Sequence, residues 1–128
     1  MPATFADGML GRAYRSLDKA AQAKTPNAIY VAAFMAASHA AAAAVAAKIS
    51  PEQRARMSNP GSLWKALAIA APDLKGWADY FEANARRRNL ADKGMANAIS
   101  LDQAETMLRD VTDFLATAEG IVQKEAAS

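Results

Sequence analysis

Three consecutive arginines, Arg86, Arg87 and Arg88, are the group in this sequence best suited to binding chemistry. Consecutive helical residues spread over about 200°, so at least one of the three is expected to face a neighbouring helix or a groove. Trp77 and Tyr80 precede them on the same predicted helix. Arginine beside aromatic rings can bind phosphate and stack on nucleobases. The alternative is a solvated helix end whose positive charge suits the C-terminal dipole.

His39 is the only histidine, and the chain has no cysteine. A zinc site would have to rest mainly on carboxylates, so we predict no metal site. A serine triad is also excluded, because Ser38 is the direct neighbour of His39 and points about 100° away around a helix. We keep His39 as a candidate binding residue on an alanine-rich helix. No catalytic residue and no cofactor are predicted.

The remaining polar residues show no recognisable reaction centre. Gly61-Ser62 lacks both the spacing and the lysine of a phosphate-binding loop. Glu105, Arg109 and Asp113 are spaced four apart, which favours a charge ladder on a solvated face. No Glu-x-x-His motif accompanies them, so a di-iron bundle is not predicted.

The elements that position these residues are predicted to be helices only. The chain has 34 alanines among its 128 residues, and alanine is the best helix former. Caps and apolar periodicity place helices as follows: from Pro2 or Thr4 to Gln22, from Pro26 to Lys48, from Ser62 to Pro72, from Asp73 to about Lys93, and from Ser100 to about Lys124. Residues 54–61 are predicted to be a mobile loop, and the tail after Lys124 is expected to fray.

These elements predict one all-α domain over residues 1–128, folded as an up-and-down bundle of four to five helices. The alanine-rich stretch at residues 28–47 is long enough to span a membrane, but its few large apolar residues and its histidine favour a central bundle helix. The net charge is +2 over residues 1–47, +4 over 48–93 and −4 over 94–128. This pattern indicates complementary neighbouring helices or a basic surface for an anionic partner. We expect a cytoplasmic protein.

Several segments resemble small actinobacterial members of the HEPN superfamily, and the resemblance covers roughly residues 8–122. The segments that carry it are SLWKAL at 62–67, APDL at 71–74, WADYF at 77–81 leading to Arg86-Arg87, and Ile99-Ser100 before the last helix. The resemblance implies a bundle of four or five helices that is often paired into dimers. It also implies binding of nucleotides, nucleic acid or partner proteins. Some of these small members look associated with DNA-repair polymerase genes.

Many HEPN proteins are metal-independent ribonucleases that carry an arginine followed after four to six residues by histidine. In this chain the residues at those distances before His39 are Ala32, Ala33 and Phe34, and no histidine follows the arginine cluster. We therefore expect a non-catalytic module that binds a protein partner or nucleic acid, as a homodimer. The alternatives are a divergent ribonuclease that uses His39 with an arginine, and a structural adaptor.

Overall fold

A computed structural model describes residues 4–50, 52–53, 62–95 and 97–127. Within these residues the chain forms α-helices and no strand, as the sequence predicts. The helices of eight residues or more are α1 (Phe5–Gln22), α2 (Pro26–Lys48), α3 (Leu63–Ala70), α4 (Lys75–Asp92) and α5 (Leu101–Ala127). The loop predicted at 54–61 lies outside the described residues.

Side-chain caps confirm the predicted starts of α1, α2 and α5. Thr4 and Asp7 form a reciprocal capping box at α1, and the hydroxyl of Thr25 accepts a hydrogen bond from the backbone N–H of Ala28 at α2. Ser100 and Gln103 form a second box, with both hydrogen bonds near 3 Å, at the start of α5. Each cap satisfies backbone N–H groups that have no partner inside the helix.

Helix α2 lies at the centre of the bundle and packs against α1, α3, α4 and α5. Ten of its residues are buried, and eight of these are alanines. Because alanine adds little bulk beyond the backbone, neighbouring helices can approach α2 closely on several sides. Length and composition alone would let α2 cross a membrane, but 56% of its apolar stretch is buried inside the bundle.

Aromatic rings fill the space where α2, α3, α4 and α5 meet. Phe81 is fully buried at the centre of this cluster. Its ring lies 4.9 Å from Trp64 and 5.0 Å from Phe114, and it also contacts Phe34 and Trp77. These separations are typical of favourable aromatic pairs. The cluster fixes α4 against α2 and α5, and therefore fixes the residues that α4 presents to solvent.

Both ends of α4 differ from a simple helix. Pro72–Leu74 form a 3₁₀ turn, which is closed by a hydrogen bond from the Leu74 N–H to the Ala71 carbonyl. Because this turn comes first, α4 begins at Lys75 and not at Asp73 as predicted. At the other end Gly94 adopts φ 72°. The N–H groups of Gly94 and Met95 bond to the carbonyls of Ala91 and Leu90, which is a Schellman motif and confirms the predicted glycine cap.

The last helix extends to Ala127. Residues 125–127, where we expected fraying, form its final turn, and Glu125 pairs with Lys48 on α2 at 3.3 Å.

Candidate functional site

The three arginines of α4 differ in their surroundings. Arg86 and Arg87 are exposed, whereas Arg88 is half-buried and donates from Nη1 to Oδ1 of Asn89 at 3.3 Å. The Nε of Arg88 is buried without a hydrogen-bond partner. None of the three guanidinium groups lies within 4.0 Å of a carboxylate of the described residues. Their positive charge is therefore not neutralised by an ion pair within this part of the chain.

Arg87 is held by a hydrogen-bond network that joins two helices. Its Nη1 donates to Oδ1 of Asn84, one turn earlier on α4, at 3.2 Å. The same oxygen accepts a hydrogen bond from the hydroxyl of Tyr30 on α2 at 3.3 Å. The amide nitrogen of Asn84 donates to the carbonyl of Tyr80 at 2.7 Å, which fixes the orientation of the amide.

Tyr30 forms the buried part of this network. Its side chain is only 1% exposed. Burial raises the pKa of the Tyr30 phenol, and the positive charge of Arg87 acts in the opposite direction. The phenol therefore stays protonated at neutral pH and serves as a hydrogen-bond donor.

A pocket of about 280 Å³ opens beside this network, and we call it the Arg87 pocket. It lies between α2, α4 and the first turns of α5. Its lining combines hydroxyl, amide, guanidinium and carboxylate groups with one methionine: Tyr30, Tyr80, Asn84, Arg87, Asp102, Gln103, Thr106 and Met107. Arg87 on α4 places a positive charge on one side of the pocket, and Asp102 on α5 places a carboxylate on the other. The pocket can thus donate and accept hydrogen bonds at fixed positions.

Tyr80 separates the Arg87 pocket from a second groove. Its hydroxyl donates to Oδ2 of Asp110 on α5 at 2.6 Å. Burial, followed by this hydrogen bond and the charge of Asp110, raises the pKa of Tyr80 well above its ordinary range. The second groove is lined by Asp73, Gly76, Trp77, Tyr80 and Asp110.

Trp77 lines this second groove and not the Arg87 pocket. Its ring is half-buried and lies 5.8 Å from Phe81 and 5.4 Å from Phe114. Of the predicted binding residues, the structure brings Tyr80 and Arg87 to one pocket. It places Trp77 on the far side of Tyr80.

His39 is not part of either groove. It is nine residues after Tyr30 on α2, which corresponds to about two and a half turns and the opposite face of the helix. Its side chain is half-buried. Burial lowers the pKa of His39, and the nearby charges of Arg12 and Arg15 on α1 lower it further. The ribonuclease alternative would therefore combine His39 with these arginines, not with those of α4.

Another cavity, of about 740 Å³, lies at the other end of the bundle. It is lined mainly by apolar side chains near the ends of α2 and α5, including Val45, Ile49 and Val122, with Phe5 exposed beside it. It brings together few polar groups. In the described part of the chain no group of three or more His, Asp or Glu residues could hold a metal ion.

Sequence reasoning missed most of the Arg87 pocket. Asn84 is three residues before Arg87 on the same helix, and this spacing could have predicted the contact between their side chains. Tyr30 is the only tyrosine in the alanine-rich helix, which marked it as exceptional but did not indicate its partner. Asp102, Gln103 and Thr106 come to the pocket from the start of α5, and no local pattern connects them to α4.

A protein-family model described as SAV_6107-like HEPN matches residues 20–119 of the chain. The matched range includes all residues of the Arg87 pocket and most of the bundle. Searches of curated proteins and of solved structures found no match to the chain.

Proposed function

We propose a function for this chain, which belongs to the SAV_6107-like HEPN family. The chain is a cytoplasmic, non-catalytic module that binds nucleotides or single-stranded nucleic acid in the Arg87 pocket. The observation that carries the proposal is the position of Arg87. Its guanidinium is fixed by Asn84 at the edge of a polar pocket and has no carboxylate partner within ion-pair distance among the described residues. A guanidinium has five N–H donors in a planar fork that matches phosphate oxygens.

The opposite wall of the pocket argues for a nucleotide over a simple anion. Asp102 lines the pocket, and a carboxylate repels phosphate but accepts hydrogen bonds from amino and hydroxyl groups. Gln103 and Thr106 can both donate and accept. A ligand with a phosphate at one end and a base or sugar at the other matches this division. The phosphate would bind Arg87, with Arg86 adding positive charge.

The proposal is tested by titrating the protein with nucleoside monophosphates and a short single-stranded RNA at low and moderate salt. We expect binding that weakens as salt increases, because phosphate contacts release counterions. Arg87→Gln should weaken binding about tenfold. It should also reduce the slope of the logarithm of the binding constant against the logarithm of the salt concentration by the contribution of about one phosphate contact. Lys65→Gln removes the same charge from an exposed position on α3 and serves as the control. Unchanged affinity in Arg87→Gln, or no binding at low salt, would refute the nucleotide proposal.

A second candidate function is binding of a protein partner, including a second copy of the chain. Three large apolar side chains are exposed on and beside the connection between α4 and α5: Leu90 at 37%, Met95 at 53% and Leu101 at 53%. Exposed apolar residues that lie close together often mark interaction surfaces. We propose a homodimer that uses this corner.

The dimer is tested by light scattering of the whole protein. A homodimer should give twice the chain mass of 13.5 kDa. Leu101→Ser should shift the mass toward that of the monomer, whereas Ile69→Ser, an exposed position on α3, should not. A monomer at all concentrations, or a dimer that is insensitive to Leu101→Ser, would contradict this interface.

A further inference from the structure

The second groove, on the far side of Tyr80 from the Arg87 pocket, has a volume of about 350 Å³, and we call it the Trp77 groove. It lies between the start of α4 and the middle of α5. Its lining consists of two aromatic rings, two carboxylates and one glycine: Trp77, Tyr80, Asp73, Asp110 and Gly76. Among the described residues no basic side chain lines it. Its charge is therefore opposite to that of Arg87, and it favours a cation.

The aromatic side of the groove is held in place by the core. The Trp77 ring packs 5.8 Å from Phe81 and 5.4 Å from Phe114, yet the side chain is only half-buried. The Tyr80 ring lies 6.2 Å from Trp77 and nearly perpendicular to it, at 77°. The groove thus has a fixed corner of two rings. Aromatic rings, and indole above all, attract cations through their quadrupole.

The two carboxylates of the groove have no cationic partner. Oδ2 of Asp110 accepts the hydrogen bond from the Tyr80 hydroxyl, which fixes the carboxylate beside the ring. Neither Asp110 nor Asp73 lies within 4.0 Å of a basic group in the described part of the chain. Lys75 is two residues from Asp73, but its ammonium is paired with Asp79 at 2.7 Å. Both negative charges are therefore available to a bound cation.

Gly76 leaves the groove open between the turn that carries Asp73 and the aromatic corner. A Cβ atom at Gly76 would meet no atom within 4 Å. The Trp77 groove is also more open to solvent than the Arg87 pocket. Sites for small molecules enclose most of the ligand surface. An open groove with fixed polar groups is better suited to a single side chain that belongs to a larger partner.

We infer that the Trp77 groove is a docking site for an arginine side chain of a partner protein. A guanidinium is planar, so it can stack on the indole while its fork of N–H donors bonds to carboxylates. A lysine ammonium is a compact point charge that cannot do both in the same way. The net charge of −4 over residues 94–128, which include α5, would attract a basic segment to this face. The inference does not depend on nucleotide binding, because Arg87 does not line this groove.

The two tryptophans of the chain make the docking measurable by NMR. The indole N–H signal of Trp77 reports the groove, and that of Trp64, which is buried in the core, is the internal reference. The probes are three capped tripeptides: Gly-Arg-Gly, Gly-Lys-Gly and Gly-citrulline-Gly, the last with nearly the shape of arginine but no charge. The arginine peptide should move the Trp77 signal in a saturable way and the Trp64 signal little. The citrulline peptide should bind about tenfold more weakly, and the lysine peptide should lie between them.

Variants of the lining test the position of the site. Asp110→Asn keeps an acceptor for the Tyr80 hydroxyl but removes the charge, and Asp73→Asn removes the other charge. Each should weaken binding of the arginine peptide about threefold to fivefold. Gly76→Leu has room for its side chain in the groove and should abolish binding. Asp113→Asn is the matched control, because Asp113 is exposed one turn after Asp110 and does not line the groove. It should have little effect.

A Trp77 signal that does not respond to millimolar arginine peptide would overturn the proposal. So would binding that persists in Gly76→Leu, or that is weakened equally by Asp113→Asn and Asp110→Asn, because the peptide would then bind the acidic surface at large. Equal affinity for the lysine peptide would overturn the assignment to arginine in favour of an unselective cation site. Nucleotide titrations of the same samples report the Arg87 pocket separately, so failure of one proposal is distinguishable from failure of the other.

Discussion

Tyr30 on α2 donates a hydrogen bond across the helix interface to Oδ1 of Asn84 on α4, at 3.3 Å. The two residues are 54 positions apart in the sequence. Tyr30 is almost completely buried, so its hydroxyl depends on Asn84 and not on water. Because Asn84 also holds Arg87, a contact in the bundle interior sets the position of the cation at the surface.

This relationship predicts different effects for the two partners. Asn84→Ala leaves the buried hydroxyl of Tyr30 without its acceptor and should lower the free energy of unfolding by about 1–3 kcal/mol. Tyr30→Phe removes the donor itself, while Asn84 can still accept from Arg87, so its cost should be about 1 kcal/mol or less. Urea unfolding measures both. Asn89→Ala, an exposed change on the same helix, reports the helix-propensity contribution together with the loss of the exposed hydrogen bond from Arg88. Equal costs for Asn84→Ala and Asn89→Ala would show that the hydrogen bond contributes little.

The fully buried alanines of α2 should tolerate no enlargement. Ala40 is fully buried in the middle of α2. Leucine at this position would force the close-packed helices apart, so Ala40→Leu should destabilise the protein by about 1–3 kcal/mol or more. Ala116→Leu places the same side chain on an exposed position of α5 and should have little effect. Thermal unfolding of both variants tests the prediction, and a stable Ala40→Leu variant would mean that α2 has space around it.

Two glycines should respond with opposite signs to the same substitution. Gly94 has φ 72°, a conformation that costs an L-residue roughly 1 kcal/mol or more, so Gly94→Ala should destabilise the protein. Gly120 lies within α5 with no atom near the position of an added Cβ. Gly120→Ala should stabilise the protein by about 0.5–1 kcal/mol, because alanine is the better helix former. The two melting temperatures should lie on either side of the wild-type value. A gain in stability for Gly94→Ala would contradict the Schellman motif.

Stability should fall at alkaline pH, partly through Tyr80. Folding raises the pKa of this phenol above its ordinary value of 10.0, chiefly by burial and then by the hydrogen bond to Asp110. The folded state therefore holds the proton more tightly than the unfolded state. The associated stability is complete below pH 10 and is lost as pH rises through the folded-state pKa. Tyr14 and Tyr30 are shifted in the same direction.

Urea unfolding between pH 9 and 11.5 measures this loss. Tyr80→Phe has no proton to lose at that position, so its stability should fall less steeply above pH 10 than that of the wild type. Lys75 also titrates in this region, and its pKa is raised by the hydrogen bond and charge of Asp79, so Asp79→Asn serves as a control for that pair. If the free energy of unfolding falls equally steeply with pH in the wild type and in Tyr80→Phe, Tyr80 has the same pKa in the folded and unfolded states.

Apolar periodicity predicted the helices well but the core less completely. On α5, apolar residues spaced three and four apart predict one buried stripe: Leu101, Ala104, Leu108, Val111, Leu115, Ala118 and Val122. Val111, Leu115 and Ala118 are indeed buried, but the stripe omits Met107 and Phe114, which are also buried. It begins with Leu101, which is 53% exposed. A single stripe describes a helix with one buried side. Helix α5 is covered by α2 along most of its length and by α1 in part, so its buried face is wider than one seam.

The sequence by itself determined the starts of the helices that carry a side-chain cap, because caps such as Thr25 and Ser100 act on backbone groups within three residues of themselves. It also determined that α2 could be enclosed, because alanine favours a helix and leaves room for its neighbours. Only the tertiary structure decided that Asn84 joins Tyr30 to Arg87, and that Tyr80 on α4 donates a hydrogen bond to Asp110 on α5. These contacts depend on how each helix is rotated about its own axis and on its axial position along its neighbour. Helix periodicity alone specifies neither quantity.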